Sequence, residues 1–337
     1  RAELRLNAVR AVLVNAFCPP YAPGGAEYSM VALAGGLAHA GVETVVVTPR
    51  WGAPPELPEG VSAVTFAAPR VVPPGQDFAD GGWVGSPAFN EALAQTLVAT
   101  RRAGDVYHLQ GYHVVDGALA AASRGLGPTL LTVRDTQAIC PAGWCMMADT
   151  AWPPTACRTW TDHVRCAWGN LSHQPETLPS WRRARGVARL LLEADKTRRL
   201  RAQLNRLGHL VAVSEGFREV LLHNGIGRPT GVSAIYNLPP APGPAPTAEA
   251  LAAWRHRLGV TATQRLILAV GKRSLGKGTP VLHRAMAEVA RDIPGARVVA
   301  IGKGRLFAES AWWTNHPPVP GPELAALYAL AEVVVVP

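Results

Sequence analysis

Short apolar runs alternate with segments of helical period along almost the whole chain. Seven of the runs, Arg10–Ala16, Glu43–Thr48, Val61–Phe66, Asp105–Leu109, Thr129–Val133, His209–Val213 and Val232–Tyr236, are rich in Val and Leu and bounded by Gly, Pro or polar residues. That is the pattern of strands buried on both faces. Between them the spacing predicts helices. One runs over Ala26–His39 and ends at Gly41, one over Phe89–Arg102 carries Phe89, Leu93 and Leu97 on one face, and one is capped by Ser214 and ends at Gly225. The alternation implies an α/β architecture with a mostly parallel, doubly wound sheet.

The pattern breaks at LPPAPGPAP, Leu238–Pro246, with five prolines in nine residues, and then resumes. A stiff, extended connector is expected there. The domains are therefore read as 1–238, a linker at 239–246 and a second α/β domain at 247–337. In the second, Thr247 caps a helix ending near Gly259, Leu266–Val270 is a strand, and Thr279-Pro280 opens a helix. Arg297–Ile301 is a strand, and a helix over Glu323–Ala331 leads to the apolar run Val333–Val336. A fully buried strand in that last place would lack a covering helix, so the chain is expected to be a fragment whose second domain is incomplete.

Composition narrows the class. The 337 residues are 48% hydrophobic, and the 33 Gly and 30 Pro are scattered rather than periodic, which excludes collagen-like, mucin-like and wholly disordered chains. No apolar run approaches the roughly 18 to 20 residues that span a bilayer, and the N-terminal residues lead into a strand without a small-residue cleavage site. The expectation is a protein that is neither membrane-spanning nor secreted. The net charge is +9, but nine basic residues and only Glu193 and Asp195 fall between Trp181 and Arg206. One such stripe fits an anionic membrane surface or an acidic partner, or is simply a solvated helix face. It argues against a general nucleic-acid coat, which needs basic residues along a groove. The five cysteines are unevenly placed for a disulfide scaffold, so a reducing, cytoplasmic location is expected.

Three strand-to-helix turns carry candidate chemistry. In NAFCPPYAPGGAEYSM, Gly24-Gly25 precedes a helix, where a small residue lets backbone approach an anion, although a plain tight turn uses glycine too. In LILAVGKRSLGKGTPVL, Lys272 and Lys277 flank a loop that enters the helix at Gly278-Thr279-Pro280, which suits a diphosphate. Ile301-Gly302-Lys303-Gly304 follows the next strand.

GGAE after the first strand, Val213-Ser214-Glu215, Tyr236-Asn237-Leu238-Pro239, GKRSLGKG, IGKG and ELAALYALAEVVVVP occur in an order that resembles the GT-B glycosyltransferases of family 4. The resemblance implies two Rossmann-like doubly wound lobes facing a cleft, the C-terminal one holding a nucleotide-sugar, most simply UDP- or GDP-linked. It also implies transfer with retention to a carbohydrate or lipid-linked acceptor. No Asp-x-Asp occurs, in keeping with the family's metal-independent chemistry. By the same resemblance Lys277 matches the lysine that neutralises the donor diphosphate, and Lys272 stands where arginine is usual. Gly24, Gly25 and Gly302 would let backbone approach the donor. In TVRDTQAICP, Arg134-Asp135 replaces the usual His-Asp, leaving an arginine to hold a sugar hydroxyl or the leaving phosphate in a catalytic position. The family's E-x7-E element would follow Pro337 and is not in this chain, so weak or no activity is expected of the chain alone.

Two further groups stay open. Cys140, Cys145, Cys157 and Cys166 have the spacing C-x4-C-x11-C-x8-C, compatible with a structural zinc, with disulfides or with free thiols; an insertion at about 138–170 is expected on the acceptor side. Trp144, Trp152, Trp160 and Trp168 crowd that loop, as a sugar-stacking or lipid-facing set or a small satellite core. His108 and His113, beside Tyr112, lie at a strand end and are read as acceptor contacts or as loop packing. The rival classes are a nucleotide-sugar-binding pseudoenzyme, a basic nucleic-acid-binding protein, and another activity on the same fold such as epimerisation or phosphorolysis.

Overall fold

The computed structural model describes residues 9–22, 24–72, 82–140, 159, 161–165, 180–238, 245–261, 263–274, 277–304, 306–319 and 321–337. They form two compact units, Arg1–Pro240 and Ala241–Pro337.

The first unit runs β1 (Arg10–Val14), α1 (Gly25–His39), β2 (Glu43–Arg50), β3 (Val61–Ala67), α2 (Pro87–Thr100), β4 (Asp105–Leu109), α3 (Val115–Ala122), β5 (Thr129–Val133), α4 (Ser180–Leu204), β6 (His209–Ala212), α5 (Glu215–His223) and β7 (Val232–Ala234). Its seven strands pair in the order β3-β2-β1-β4-β5-β6-β7, all parallel. Alternate residues of a strand point to opposite faces, so β1 feeds two cores. Val12 and Val14 pack with Phe89, Leu93 and Leu97 of α2 and with Ala118 of α3, whereas Leu13 packs with Met30 and Ala34 of α1. The helices start where the side chains dictate. Ser86 accepts from Phe89 N at 3.2 Å with Pro87 at the first helical position, and Ser214 accepts from Phe217 N at 3.1 Å.

The second unit runs α6 (Ala248–Leu258), β8 (Arg265–Val270), α7 (Thr279–Asp292), β9 (Ala296–Ile301), β10 (Trp313–His316), α8 (Gly321–Leu330) and β11 (Val333–Val334), with a parallel sheet ordered β10-β9-β8-β11. Trp254, Leu258, Ala326 and Leu327 cover one face, Leu282, Met286 and Trp313 the other.

Several boundaries differ from the periodicity. The Val232–Tyr236 run is a strand only to Ala234; β7 ends the strand order among the described residues, and Ile235 and Tyr236 are exposed. The Val333–Val336 run was expected to be fully buried, but β11 is two residues long, pairs only with β8 among the described residues, and leaves Val333 and Val334 exposed. Helix α3 and strand β10 have no clear sequence signal. Gly117 interrupts α3 because an added Cβ would stand 2.8 Å from Leu93 Cδ2, and β10 (WTNH) is a short strand whose one large apolar residue, Trp313, is buried.

The central pair β1–β4 is fastened at its amino end. Arg10 lies opposite Asp105 in the register and donates from Nε to Oδ1 and from Nη2 to Oδ2, both at 2.7 Å. Oδ2 also accepts from Tyr107 OH and Arg102 N, at 2.8 Å each, and Arg10 Nη2 reaches Thr100 O. Side-chain exposure of the pair is 8% and 1%. Burial pushes the Asp105 carboxyl up, but the bonds from Arg10, Arg102 and Tyr107 outweigh it and hold the group below its ordinary value. A carboxyl so depressed adds stability that is complete above the unfolded value, about 3.9, and is lost as the pH falls through the lower folded value. Asp105→Asn, which leaves the Arg10 charge buried without a counter-ion, is expected to cost the first unit about 3–5 kcal/mol at pH 7. Urea unfolding should show this as a lowered midpoint, with the gap to the parent narrowing below the carboxylate range; a gap independent of pH would contradict it.

Candidate functional site

The strand order of the first unit reverses between β1 and β4, and open α/β sheets receive ligands outside the carboxyl ends of the strands at such a point. A pocket of about 160 Å³ lies there. Asn15 and Phe17 reach it from beyond β1, Gln110 and His113 from beyond β4, and Arg134 and Asp135 from beyond β5, with Glu27 arriving from the first turn of α1. Glu27 shares the buried stripe of α1 with Met30 and Ala34, which is why an acidic side chain at that position points inward.

Arg134 organises the wall. Its Nη2 donates to Gln110 Oε1 at 2.5 Å and its Nη1 to Asn237 Oδ1 at 2.6 Å. Burial pushes the guanidinium down from its usual value, and the Glu27 charge opposes that. Glu27 is buried and accepts from Gly24 N at 3.0 Å; burial pushes its carboxyl up against the lowering effect of its own and Gly24's backbone N–H and of Arg134. Asp135 is likewise pushed up by burial, opposed by bonds from Gln137 N at 3.0 Å and Gln137 Nε2 at 3.2 Å. Tyr112 OH donates to Asp135 O at 2.8 Å.

Of the sequence-predicted residues, Arg134, Asp135 and His113 line this pocket. His108 does not; it sits one residue inside β4, bonded to Thr132 Oγ1 at 2.7 Å, and burial, with Arg134 adding, pushes its imidazole down to about 4. It is neutral at physiological pH. Gly24 is the N-cap of α1 and Gly25 its first residue; a Cβ on Gly25 would meet nothing within 4 Å, and Gly24 has an extended backbone. Packing therefore does not require glycine at either position. One free N–H expected at this helix start, that of Gly24, is taken by Glu27. The sequence reading missed Asn15, Glu27, Gln110 and Asn237. The only available signals were an acidic residue on an apolar helical stripe and polar residues just past strand ends.

The second unit brings Lys272, Lys277 and Gly302 into adjoining turns. Arg273 between the lysines is spent on scaffolding: Nη1 donates to Ala300 O at 2.5 Å and His316 O at 2.9 Å, and Nε to Gly304 O at 2.5 Å. Lys272 and Lys277 are exposed, the latter one residue before Gly278, the left-handed N-cap of α7 (φ 67°). Gly302, at φ 151°, lies against the carbonyl of Gly271, and a Cβ there would overlap it.

Cys140 is buried in the turn after β5, its N–H bonded to Thr136 O at 2.7 Å. Cys145, Cys157 and Cys166, and the four tryptophans Trp144, Trp152, Trp160 and Trp168, lie outside the described residues, so the structural-zinc expectation does too. The buried Cys18 thiol is pushed up to about 12 by burial and is no nucleophile. A larger hollow of about 590 Å³ opens at the amino ends of β6 and β7, beside Asn205 and Arg228, and holds none of the predicted site residues.

Residues 23–237 match the family model described as Glycosyltransferase Family 4. The chain belongs to this family. No curated protein matches it in sequence. Among solved structures, sucrose-phosphate synthase from Thermosynechococcus elongatus is similar at 18% identity and a TM-score of 0.59, over 97% of this chain and 75% of that one. The catalytic domain of starch synthase IV from Arabidopsis thaliana, bound to ADP and acarbose, is similar at 12% and 0.59, over 97% and 78%. Anabaena Alr3699/HepE, in complex with UDP and glucose, is similar at 14% and 0.57, over 97% and 73%. These likenesses show the fold, that of the GT-B glycosyltransferases.

The family 4 chain also carries the basic helix. Along α4, Trp181, Arg185, Ala188, Leu192, Lys196 and Arg199 are exposed at helical spacing, with Trp181 58% and Leu192 78% exposed. Asp195 is paired with Arg198 and Arg199, and Glu193 with Lys196.

The glycines separate into two kinds. Gly302→Ala is expected to lower the unfolding midpoint of the second unit, whereas Gly25→Ala should leave stability within about 1 kcal/mol of the parent, since alanine is the better helix former. Thermal melts of the two variants check this, and equal losses would refute the distinction.

Proposed function

We propose that this family 4 protein is a retaining, metal-independent glycosyltransferase that takes a UDP- or GDP-linked sugar and transfers it to a carbohydrate or lipid-linked acceptor. The observation that carries the reading is the β8–α7 turn, where two exposed lysines stand beside a helix N-terminus outside the carboxyl end of β8. Sheet order reverses there as well, because β9 and β11 flank β8. Departure of a nucleotide from a sugar builds negative charge on the diphosphate, and fixed ammonium groups with helix amides stabilise it without a metal. Lys277 and Lys272 take that role, with Gly302 shaping the adjoining turn. The pocket of Arg134, Asp135 and His113 receives the acceptor. His108, held neutral, supports it from within the strand. The departing phosphate takes the acceptor's proton, so no strong base is required.

The exposed face of α4, with an indole, a leucine and basic residues, suits the anionic inner face of the cytoplasmic membrane, where a peripheral enzyme would meet a lipid-linked acceptor. No described helix is long and apolar enough to cross a membrane.

A thermal-shift series with UDP, GDP, ADP and TDP tests donor binding. One of them is expected to raise the midpoint, since a native-state ligand at a hundred times its Kd adds about 2.7 kcal/mol. Lys272→Ala with Lys277→Ala should remove most of that shift. No shift with any nucleotide, or one indifferent to the lysines, would sink the reading, and binding without transfer would make the protein a pseudoenzyme. Vesicle sedimentation tests docking separately. Retention should rise with anionic lipid and fall with salt, and equal retention on neutral vesicles would remove the membrane role.

A further inference from the structure

The pocket at the β1–β4 switch point has walls of two opposite kinds. Asn15 and Gln110 are 3% and 2% exposed, yet Asn15 Nδ2 and Gln110 Nε2 have no hydrogen-bond partner among the described residues, and neither has Arg134 Nε. Three donors in the walls of one small pocket are thus unsatisfied, where a buried amide N–H without a partner costs about 1–3 kcal/mol. Facing the same pocket are two carboxyls, Glu27 and Asp135, which when ionised can only accept.

The chemistry that satisfies both sets is narrow. A phosphate or carboxylate would accept from the three N–H groups but lie in the field of two acidic residues. It would also meet a guanidinium that already gives one N–H from each Nη to Gln110 and Asn237, which fixes its plane and leaves less of its charge for an anion. An ammonium ligand would donate to the carboxyls and be repelled by Arg134. A hydroxyl accepts and donates at once, and the half-buried ring of Phe17 offers an apolar face beside the polar groups.

We infer that the pocket takes an uncharged polyhydroxylated ring, a neutral monosaccharide unit of the acceptor, and discriminates against phosphorylated or acidic sugars. This rests on the reading of the pocket as the acceptor side. It deepens that reading by making the group next to Arg134 a neutral sugar rather than a lipid phosphate.

The test is a binding comparison on the full chain by saturation-transfer NMR and calorimetry. The probes are methyl glycosides of glucose, galactose and mannose, the matching hexose 6-phosphates, glucuronate and inorganic phosphate. At least one neutral glycoside is expected to bind more tightly than its phosphorylated or acidic counterpart. Asn15→Ala should weaken it about three- to tenfold, the loss of one hydrogen bond, and the volume-conserving Gln110→Met, which also removes the acceptor of Arg134 Nη2, by at least as much. Glu27→Gln, by removing a negative charge, should narrow the preference over the hexose phosphates. Thermal melts of each variant establish that it is folded, and the UDP and GDP shifts are recorded in parallel. Tighter binding of the anionic probes, or glycoside binding indifferent to Asn15 and Gln110, overturns the inference. If a nucleotide still raises the midpoint while no neutral glycoside binds, the donor reading survives and this one falls, the two amides then holding only water. If glycosides bind as expected and no nucleotide does, the pocket stands and the transferase reading falls.

Discussion

The pairing of β1 with β4 is the constraint on which the first unit depends. These are the two strands at which the sheet changes direction, and their amino ends are locked by Arg10 and Asp105, a buried ion pair whose remaining valences are met by Arg102, Tyr107 and Thr100. A lock at one end fixes the register, Val14 opposite Leu109, and so fixes which residue stands just past each strand at the other end. Asn15 and Gln110 occupy those places. A slip of one residue would turn both away and push Leu13 into the core that Val12 and Val14 now fill. The polar wall of the pocket is therefore set by an interaction at the far edge of the sheet.

The second unit solves a similar problem with backbone contacts. Two strand-end turns approach so closely that only glycine fits at 302, and the arginine between the two lysines closes the gap by donating to three carbonyls. Arginine suits that task because its planar fork can reach several carbonyls at once, and the flanking lysines, with compact mobile charges, are left to solvent. A run of three cations in the sequence thus divides into one structural and two available charges, a division that spacing alone does not reveal.

Much of the architecture could be read in advance because buried parallel strands are nearly continuous apolar runs and caps are local chemistry. RAVLV, ETVVV and LILAV announce themselves, as do Ser214 and Thr247. What failed was decided by partners distant in sequence. The WTNH strand exists because β9 supplies hydrogen bonds, and α3 tolerates Gly117 because α2 lies against it. The same holds for the site. Arg134, Asp135 and His113 stood out by type and position, whereas Gln110 and Asn237 gained meaning only through their bonds to Arg134, 24 and 103 residues away along the chain.

The arginine at 134 also changes how the pocket answers to pH. A histidine there would switch its charge near neutrality. Arg134 stays charged even with burial working against it, and His108, pushed down to about 4, stays neutral. The carboxyls of the buried Glu27 and the more open Asp135, both raised by desolvation, are then the acidic groups in the pocket that lose charge first as the pH falls. Protonation turns one carboxylate oxygen into an O–H donor and ends its repulsion of anions while the N–H donors persist. Acid should therefore shift the pocket's preference away from neutral hydroxyls and toward oxyanions. The field of Arg134 on Glu27 opposes that change and grows as a bound ring displaces water, so occupancy and ionisation of Glu27 reinforce each other.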